Sequence, residues 1–373
     1  MGGVVLATGD IAPDRDNPDE CFAATASLLQ GADLVFGQLE TSFADHGVRL
    51  PQTRHAVLST PKAAAAVGKA GYTVISCAGN HCLDWGPDAL RATIANLNKS
   101  GVAVIGAGEN IAAARKPHIH VMPDGTRIAM LAYCSILPHS FWAEENRPGC
   151  VPMRAHTVYE QVEHDQPGTP ARIHTYPHRE DLAAMEADIR AAKKEADLVL
   201  VSQHWGIHFV RAVIADYQRD VARACIAAGA DAIFGHHAHI LKGAEVIDGK
   251  PVFYSLCNFA TDLRMTPEHA ARKSFKEIQV LAEKWEPNFD SLYNFPEASK
   301  RSIIARLEIS DGRITEAGYL PLYIEDDAVP RVVDRDDPRF MEVADYMKAV
   351  TEEAGLNAQY SVRDGRVVIE GVR

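Results

Sequence analysis

Nowhere does this 373-residue chain approach the run of about twenty apolar residues that a membrane-spanning helix needs. Nor does it carry a basic block of the kind that grips nucleic-acid phosphates: its 50 acidic and 38 basic side chains leave a formal charge of −12. Its start, Met1-Gly-Gly-Val-Val-Leu-Ala-Thr-Gly-Asp10, lacks the charged opening and apolar length of a signal peptide. The seven cysteines (Cys21, Cys77, Cys82, Cys134, Cys150, Cys225 and Cys257) are odd in number and include no CxxC pair, which fits reduced thiols better than disulfides or a zinc-thiolate site. No internal repeat or low-complexity tract is present. These absences predict a cytoplasmic protein acting on a small or soluble substrate, with no nucleic-acid or membrane partner and with a homo-oligomer left open. What is there, 47% hydrophobic and 24% charged residues, is the balance of an ordinary globular protein.

Short β-branched runs alternate with longer helical stretches over the first 260 residues, the pattern of an α/β layered fold. Strands are expected over 4–8, 34–37, 73–77, 102–105, 127–132, 198–202, 232–234 and 252–256, and helices over 19–30, 62–70, 88–99, 179–194 and 214–228. Gly71, Gly101 and Gly229 stand where helices should stop. Two stretches break the rhythm, 138–178 and 264–300, and read as long loops over a site. A hairpin over 302–309 and 314–323, turning at Asp311-Gly312, closes a domain spanning 1–325. The extension 326–373 carries a helix near 340–353 and one strand near 360–369, an appended element suited to dimerisation.

The chemistry-bearing residues fall where a strand gives way to a loop, the edge of an α/β sheet at which ligands gather. They are Asp10 after Gly9, Glu40 after Gln38-Leu39, the pair Asn80-His81, His204 after Gln203, and the cluster Gly235-His236-His237-Ala238-His239. Singly, each has a plain reading: Asp10 suits a helix cap, and Asn80-His81 suits a turn. Together they supply oxygen and nitrogen ligands, a carboxylate able to bridge, and no sulfur, which suits one or two divalent ions of Mn, Fe or Zn. Asp10, Glu40 and His239 would hold one ion; Glu40, Asn80, His204 and His237 would hold the other. His81, facing away from Asn80 in an extended chain, is the expected catalytic acid or transition-state donor, with a pKa near working pH. His236 points away from its neighbours on strand alternation and is expected behind the ligands. His208 would join it only if its segment turned helical. Arg15 and Asn258 are candidates for touching the ligands or the substrate. Arg54 is a weaker anion grip, and His118 with His120 repeats the ligand spacing on an expected exposed hairpin.

With those residues in place, the chain resembles the CapA family of poly-γ-glutamate synthesis-type proteins, a branch of the calcineurin-like metallophosphoesterase superfamily. The resemblance covers roughly residues 4–325. It rests on Gly9-Asp10, Ala32-Asp33-Leu34-Val35-Phe36 with Leu39-Glu40, Asn80-His81 leading to Asp84-Trp85-Gly86, and Gly106 to Asn110. It continues through His204-Trp205-Gly206, Gly229-Ala230-Asp231 before Gly235 to His239, Tyr254-Ser255-Leu256, and Asn258-Phe259. It implies a four-layered α/β/β/α sandwich of the metallo-dependent phosphatase type, and the ligand roles given above. The superfamily's Asp-x-His opening is here Asp10-Ile11-Ala12, so one ligand of the first metal is missing and a mononuclear site is possible. Gln38 replaces the family's usual Asn, and Cys257 its usual Gly before Asn258, a small buried residue rather than a nucleophile.

These readings lead to a metal-dependent hydrolase that uses a metal-activated water, acting on an amide, lactone or related carbonyl substrate. The alternatives are a phosphoesterase of the calcineurin-like type and a non-enzymatic accessory factor of poly-γ-glutamate or capsule polymer synthesis.

Overall fold

A computed structural model describes residues 2–282 and 285–373; two positions of the 264–300 stretch, and Met1 at the start, are not among the described residues. The fold is mixed α/β, with a ten-stranded and a six-stranded sheet as its main bodies. In the larger sheet, Gly3–Ala12, Leu34–Leu39, Val74–Ser76 and Ala103–Ile105 run parallel, in that order. The hairpin Arg301–Ser310 and Arg313–Ile324 then pairs antiparallel on the other side of the first strand. In the smaller sheet, Arg127–Cys134, Leu198–His204, Ala232–His236 and Lys250–Phe253 are parallel neighbours, with antiparallel His118–Val121 and Ala244–Ile247 at the edges.

Alternation along Leu198–His204 separates the two faces of the smaller sheet. Leu198 and Leu200 join one core with Phe36 of the larger sheet, and the Phe36 and Phe234 rings stack across it at 6.1 Å. Val199 and Val201 join a second core with Met185 and Ile189 of the helix Arg179–Ala192 and Val221 and Cys225 of the helix Asp216–Ala228. The helices Pro61–Ala70 and Gly86–Lys99 bury Ala64, Val67, Leu90 and Leu97 in the first core. Full burial of a valine or leucine side chain such as Val67, Leu90 or Leu97 contributes about 1.5–3 kcal/mol. Gly71 and Gly229 close their helices in the left-handed region, at φ 106° and 117°.

Several expectations need correction. The helix over 19–30 is a 3₁₀ turn, Pro18–Phe22, followed by a separate short helix, Ala26–Gln30. At the break the Thr25 hydroxyl donates to the Phe22 carbonyl at 3.4 Å, a local bond that competes with helix continuation. The strand near 360–369 is a hairpin, Tyr360–Arg363 and Arg366–Ile369, turned by Asp364-Gly365 with both residues at positive φ. Its second strand pairs with Arg313–Ile324, and the helix Pro338–Glu353 buries Phe340, Val343 and Met347 in the first core. The 138–178 stretch contains a hairpin, Ala155–Glu160 with Arg172–Pro177, and 264–300 contains two short helices, Pro267–Ala271 and Lys273–Gln279. The strand expected over 252–256 stops at Phe253, and an unforeseen strand, Asn258–Thr261, lies parallel to Gly3–Ala12 and pairs Asn258 with Asp10. Among the described residues no helix is long and apolar enough to cross a membrane.

Close approach of the strand ends depends on glycine. A methyl group on Gly235 would sit 2.2 Å from the Tyr254 carbonyl oxygen and 2.6 Å from Trp205 Nε1. Gly235→Ala is therefore expected to destabilise the protein by about 1–3 kcal/mol or more, because the obstructing atom is backbone. An unchanged urea midpoint would refute this account of the strand ends.

Candidate metal centre

The carboxyl ends of the parallel strands from both sheets bring most of the singled-out residues into one buried place. Asp10, near the end of its strand Gly3–Ala12, is fully buried. Its Oδ1 lies 3.0 Å from His236 Nδ1, and its Oδ2 accepts the His237 backbone N–H at 3.2 Å and lies 3.4 Å from His239 Nδ1. His239 Nδ1 is also 2.7 Å from Asn258 Oδ1. His236 and His239, expected on opposite sides by strand alternation, thus both reach the Asp10 carboxylate, one on each oxygen.

Glu40 follows its strand directly, with Oε1 3.4 Å from His204 Nδ1 and Oε2 3.7 Å from His81 Nε2. Asn80 Oδ1 lies 2.6 Å from His204 Nε2 and 3.2 Å from His237 Nδ1. Asp10, Glu40 and His204 each offer a ligand atom within 4.8 Å of the others, a group that could hold a metal ion. That group joins Asp10, expected with His239, to His204, expected with Asn80 and His237; the His237 ring lies 4.9 Å from that of His204, and His239 Nδ1 lies beside Asp10, both outside the group.

Three details differ from the sequence reading. The strand ends at His236, and His237 and His239 have φ 84° and 53°. The left-handed backbone, rather than strand alternation, brings their rings within 6.2 Å of each other; such conformations cost roughly 1–2 kcal/mol per residue and concentrate at functional sites. Asn80 and His81 lie in a run of turns, not in an extended segment. His208 arrives without a helix, through bends at Gly206 (φ 92°) and Phe209 (φ 58°), and its ring centroid is 3.9 Å from that of His237.

Electrostatics explain what the site can hold. Burial, and then the Asp10 carboxylate, push Glu40 well above the usual carboxylate range. Burial and surrounding imidazoles hold His204 and His237 well below the ordinary histidine value, so both are neutral, the form that ligates metals. His81 departs from the expected near-neutral pKa. Burial would lower it, but Asp84, hydrogen-bonded to its Nδ1 at 2.6 Å, and then Glu40 and Asp10 hold it up to about 9. Glu40 Oε2, His204 Nδ1 and His236 Nε2 are buried without a hydrogen bond. Each such orphan costs about 1–3 kcal/mol, and a cation between Glu40 and His204 would serve two of the three. The residues present therefore fit a divalent ion.

Arg15 does not touch the centre. Its guanidinium grips Asp262 through two nitrogens and donates to the Asp327 carbonyl at 2.9 Å; the two paired side chains are only 7% and 1% exposed. It borders a cavity of about 350 Å³ with Lys62 and Arg264, yet its own charge is already matched. His118 and His120 are half-buried on their hairpin with rings 6.4 Å apart, outside the metal-capable group. Cys257 is buried at φ 66°, a backbone region that favours glycine, and burial pushes its thiol far up. The sequence reading gave no role to Asp84, whose position three residues after His81 was a usable signal. It also missed Tyr293, which bonds Asn258, and Lys242, buried with its ammonium on the Val210 and Val213 carbonyls. Neither carried a local pattern.

An α/β protein with two main sheets and with buried carboxylates and imidazoles gathered at its strand ends is one organised around a metal-capable site. The chain belongs to the family described as bacterial capsule synthesis protein PGA_cap, which it matches over residues 4–263. It is similar to the PGA biosynthesis protein CapA of Bacillus subtilis (strain 168), with 29% identity over 250 residues that cover 67% of this chain and 58% of that one. The capsule biosynthesis protein CapA of Bacillus anthracis is 27% identical over 260 residues, 67% of this chain and 55% of that one. A probable polyglutamine synthesis accessory protein of Mycobacterium tuberculosis (strain CDC 1551 / Oshkosh) is 29% identical over 214 residues, 56% of this chain and 50% of that one. This chain thus spans about half the length of these relatives, from 50% to 58%, and none of the three is named a hydrolase.

Removing the Arg15 charge should leave Asp262 buried and unpaired, so Arg15→Met is expected to lose about 3–5 kcal/mol of stability with the metal-binding capacity of the chain retained. Wild-type stability in urea would instead mark Arg15 as free for a ligand.

Proposed function

We propose that this chain is a metal-dependent hydrolase with Asp10, Glu40, Asn80, His204, His237 and His239 as its metal-holding set. Its scaffold in this reading is the four-layered α/β/β/α sandwich of the metallophosphatase type, with residues 1–325 as the catalytic unit and 326–373 as an extension. The observation that carries the reading is the convergence of Asp10, Glu40 and His204 within 4.8 Å, with Glu40 Oε2 and His204 Nδ1 lacking hydrogen bonds. A divalent ion there, Mn, Fe or Zn, would activate water and polarise the oxygen of the scissile group.

The chain's own groups do the rest. His81 is clamped by Asp84 through Nδ1, which turns Nε2 toward Glu40 and the substrate side, where it can stabilise developing charge or protonate a leaving group. Its side chain is 19% exposed, against 4% for Glu40 and none for His204, as a group meeting substrate must be. His236 and Asn258 hold Asp10 and His239 from behind. The substrate we favour is an amide, lactone or related carbonyl compound, soluble and in the cytoplasm. The relatives' names, which point to PGA biosynthesis and polyglutamine synthesis, support an amide over a phosphoester. A second reading, a non-enzymatic accessory of polymer synthesis, is favoured by the accessory designation of the mycobacterial relative.

Metal analysis of protein purified without added metal is expected to give about one or two equivalents, lost in His237→Ala with at least a hundredfold drop in turnover of an amide or lactone substrate. Full metal content and turnover in His237→Ala or Asn80→Ala would sink the assignment. No metal after reconstitution would favour the accessory reading, and rapid turnover of aryl phosphates alone would move the substrate to phosphorus.

A further inference from the structure

The 264–300 insert reaches the candidate metal centre through Tyr293, and we propose that Tyr293 is a positioning residue that sets the tautomer of His239 by locking the orientation of Asn258. Tyr293 is 2% exposed, and its hydroxyl lies 2.7 Å from the Ser299 carbonyl oxygen and 2.8 Å from Asn258 Nδ2. On its other side, Asn258 Oδ1 lies 2.7 Å from His239 Nδ1.

The protons in this chain of contacts can be placed by elimination. A carbonyl oxygen only accepts, so the single hydroxyl proton of Tyr293 goes to Ser299. The Tyr293 oxygen is then left as an acceptor toward Asn258, and the Asn258 group facing it must be the amide nitrogen. That orientation turns Oδ1 toward His239, and because Oδ1 only accepts, the proton of the neutral imidazole sits on Nδ1. Nε2 keeps its lone pair and is the atom free to bind a metal. Asp10 Oδ2, 3.4 Å from the same Nδ1, favours the same tautomer. Without the tyrosine hydroxyl the Asn258 amide can rotate by half a turn, present its nitrogen to His239 Nδ1, and favour the opposite tautomer. Partners that fix the ring of a ligating histidine in this way typically govern metal affinity by about 10–100-fold.

Selection of Nε2 as the ligand atom rests on the metal-centre reading above; the tautomer itself does not, and the test separates them. The full chain, labelled with ¹⁵N-histidine and metal-free, is measured by solid-state ¹⁵N NMR, with the His239 signals assigned by their loss in His239→Gln. The wild type is expected to show His239 with a protonated Nδ1 and an unprotonated Nε2. Tyr293→Phe, which keeps the ring and its packing, is expected to show a mixture of both tautomers and about tenfold weaker zinc binding by titration. A wild-type His239 protonated on Nε2, or a Tyr293→Phe protein that keeps a single Nδ1–H signal, would overturn the proposal. Zinc binding by neither protein would count against the metal centre, while the tautomer signals would still decide the role of Tyr293.

Discussion

Two carboxylates, Asp10 and Glu40, are buried together where the ends of both sheets meet, and much of the surrounding structure answers the electrostatic demand they create. Taking an ionised carboxylate out of water costs several kcal/mol after relaxation unless charge or hydrogen bonds compensate. Asp262 shows the ordinary solution nearby, a guanidinium held against it through two nitrogens. Asp10 and Glu40 have no arginine or lysine of their own among the described residues. They have imidazoles, one backbone N–H and an amide nitrogen from Gln38. The neutral imidazoles of His204 and His237 beside these buried carboxylates form a ligand shell for a divalent ion, whose charge would reverse the upward push on Glu40.

Such a shell needs backbone to come close to neighbouring backbone and side chains, and that requirement explains features with no chemistry of their own. Gly9, Gly79 and Gly235 stand directly before Asp10, Asn80 and His236, and a methyl on any of them would fall 2.7 Å or less from a neighbouring atom. Beyond the glycines the chain takes left-handed conformations at His237, His239 and Cys257, which are uncommon for any residue but glycine. Packing of the two sheets holds this strain, and the rings and carboxylates point inward as a result.

Around the core set lies a group of side chains that orient others. Asp84 fixes His81, while Asn258 and Tyr293 fix His239. Lys242 pins the carbonyls of Val210 and Val213, beyond the bend that carries His208 over His237. Asp84 belongs to the turn after Asn80, but Tyr293 comes from the 264–300 insert, so a segment beyond residues 4–263, the part shared with the family, contributes to the shape of the centre.

The amino-acid sequence by itself determined the α/β class, the family and the gathering of Asp10, Glu40, Asn80, His204 and the 236–239 histidines, because each lies near the carboxyl end of an apolar run, where an α/β sheet presents its ligands. It also placed the helix-stopping glycines, whose positive φ is a local property. Only the tertiary structure decided that Arg15 is locked to a carboxylate 247 residues away, that Asp10 pairs in register with Asn258, and that His237 and His239 reach the site through left-handed backbone rather than along a strand. It alone revealed Tyr293 beside Asn258. The reason is common to all of these: partners distant in the chain, and backbone bent by packing instead of by local preference, leave no periodic mark in the sequence.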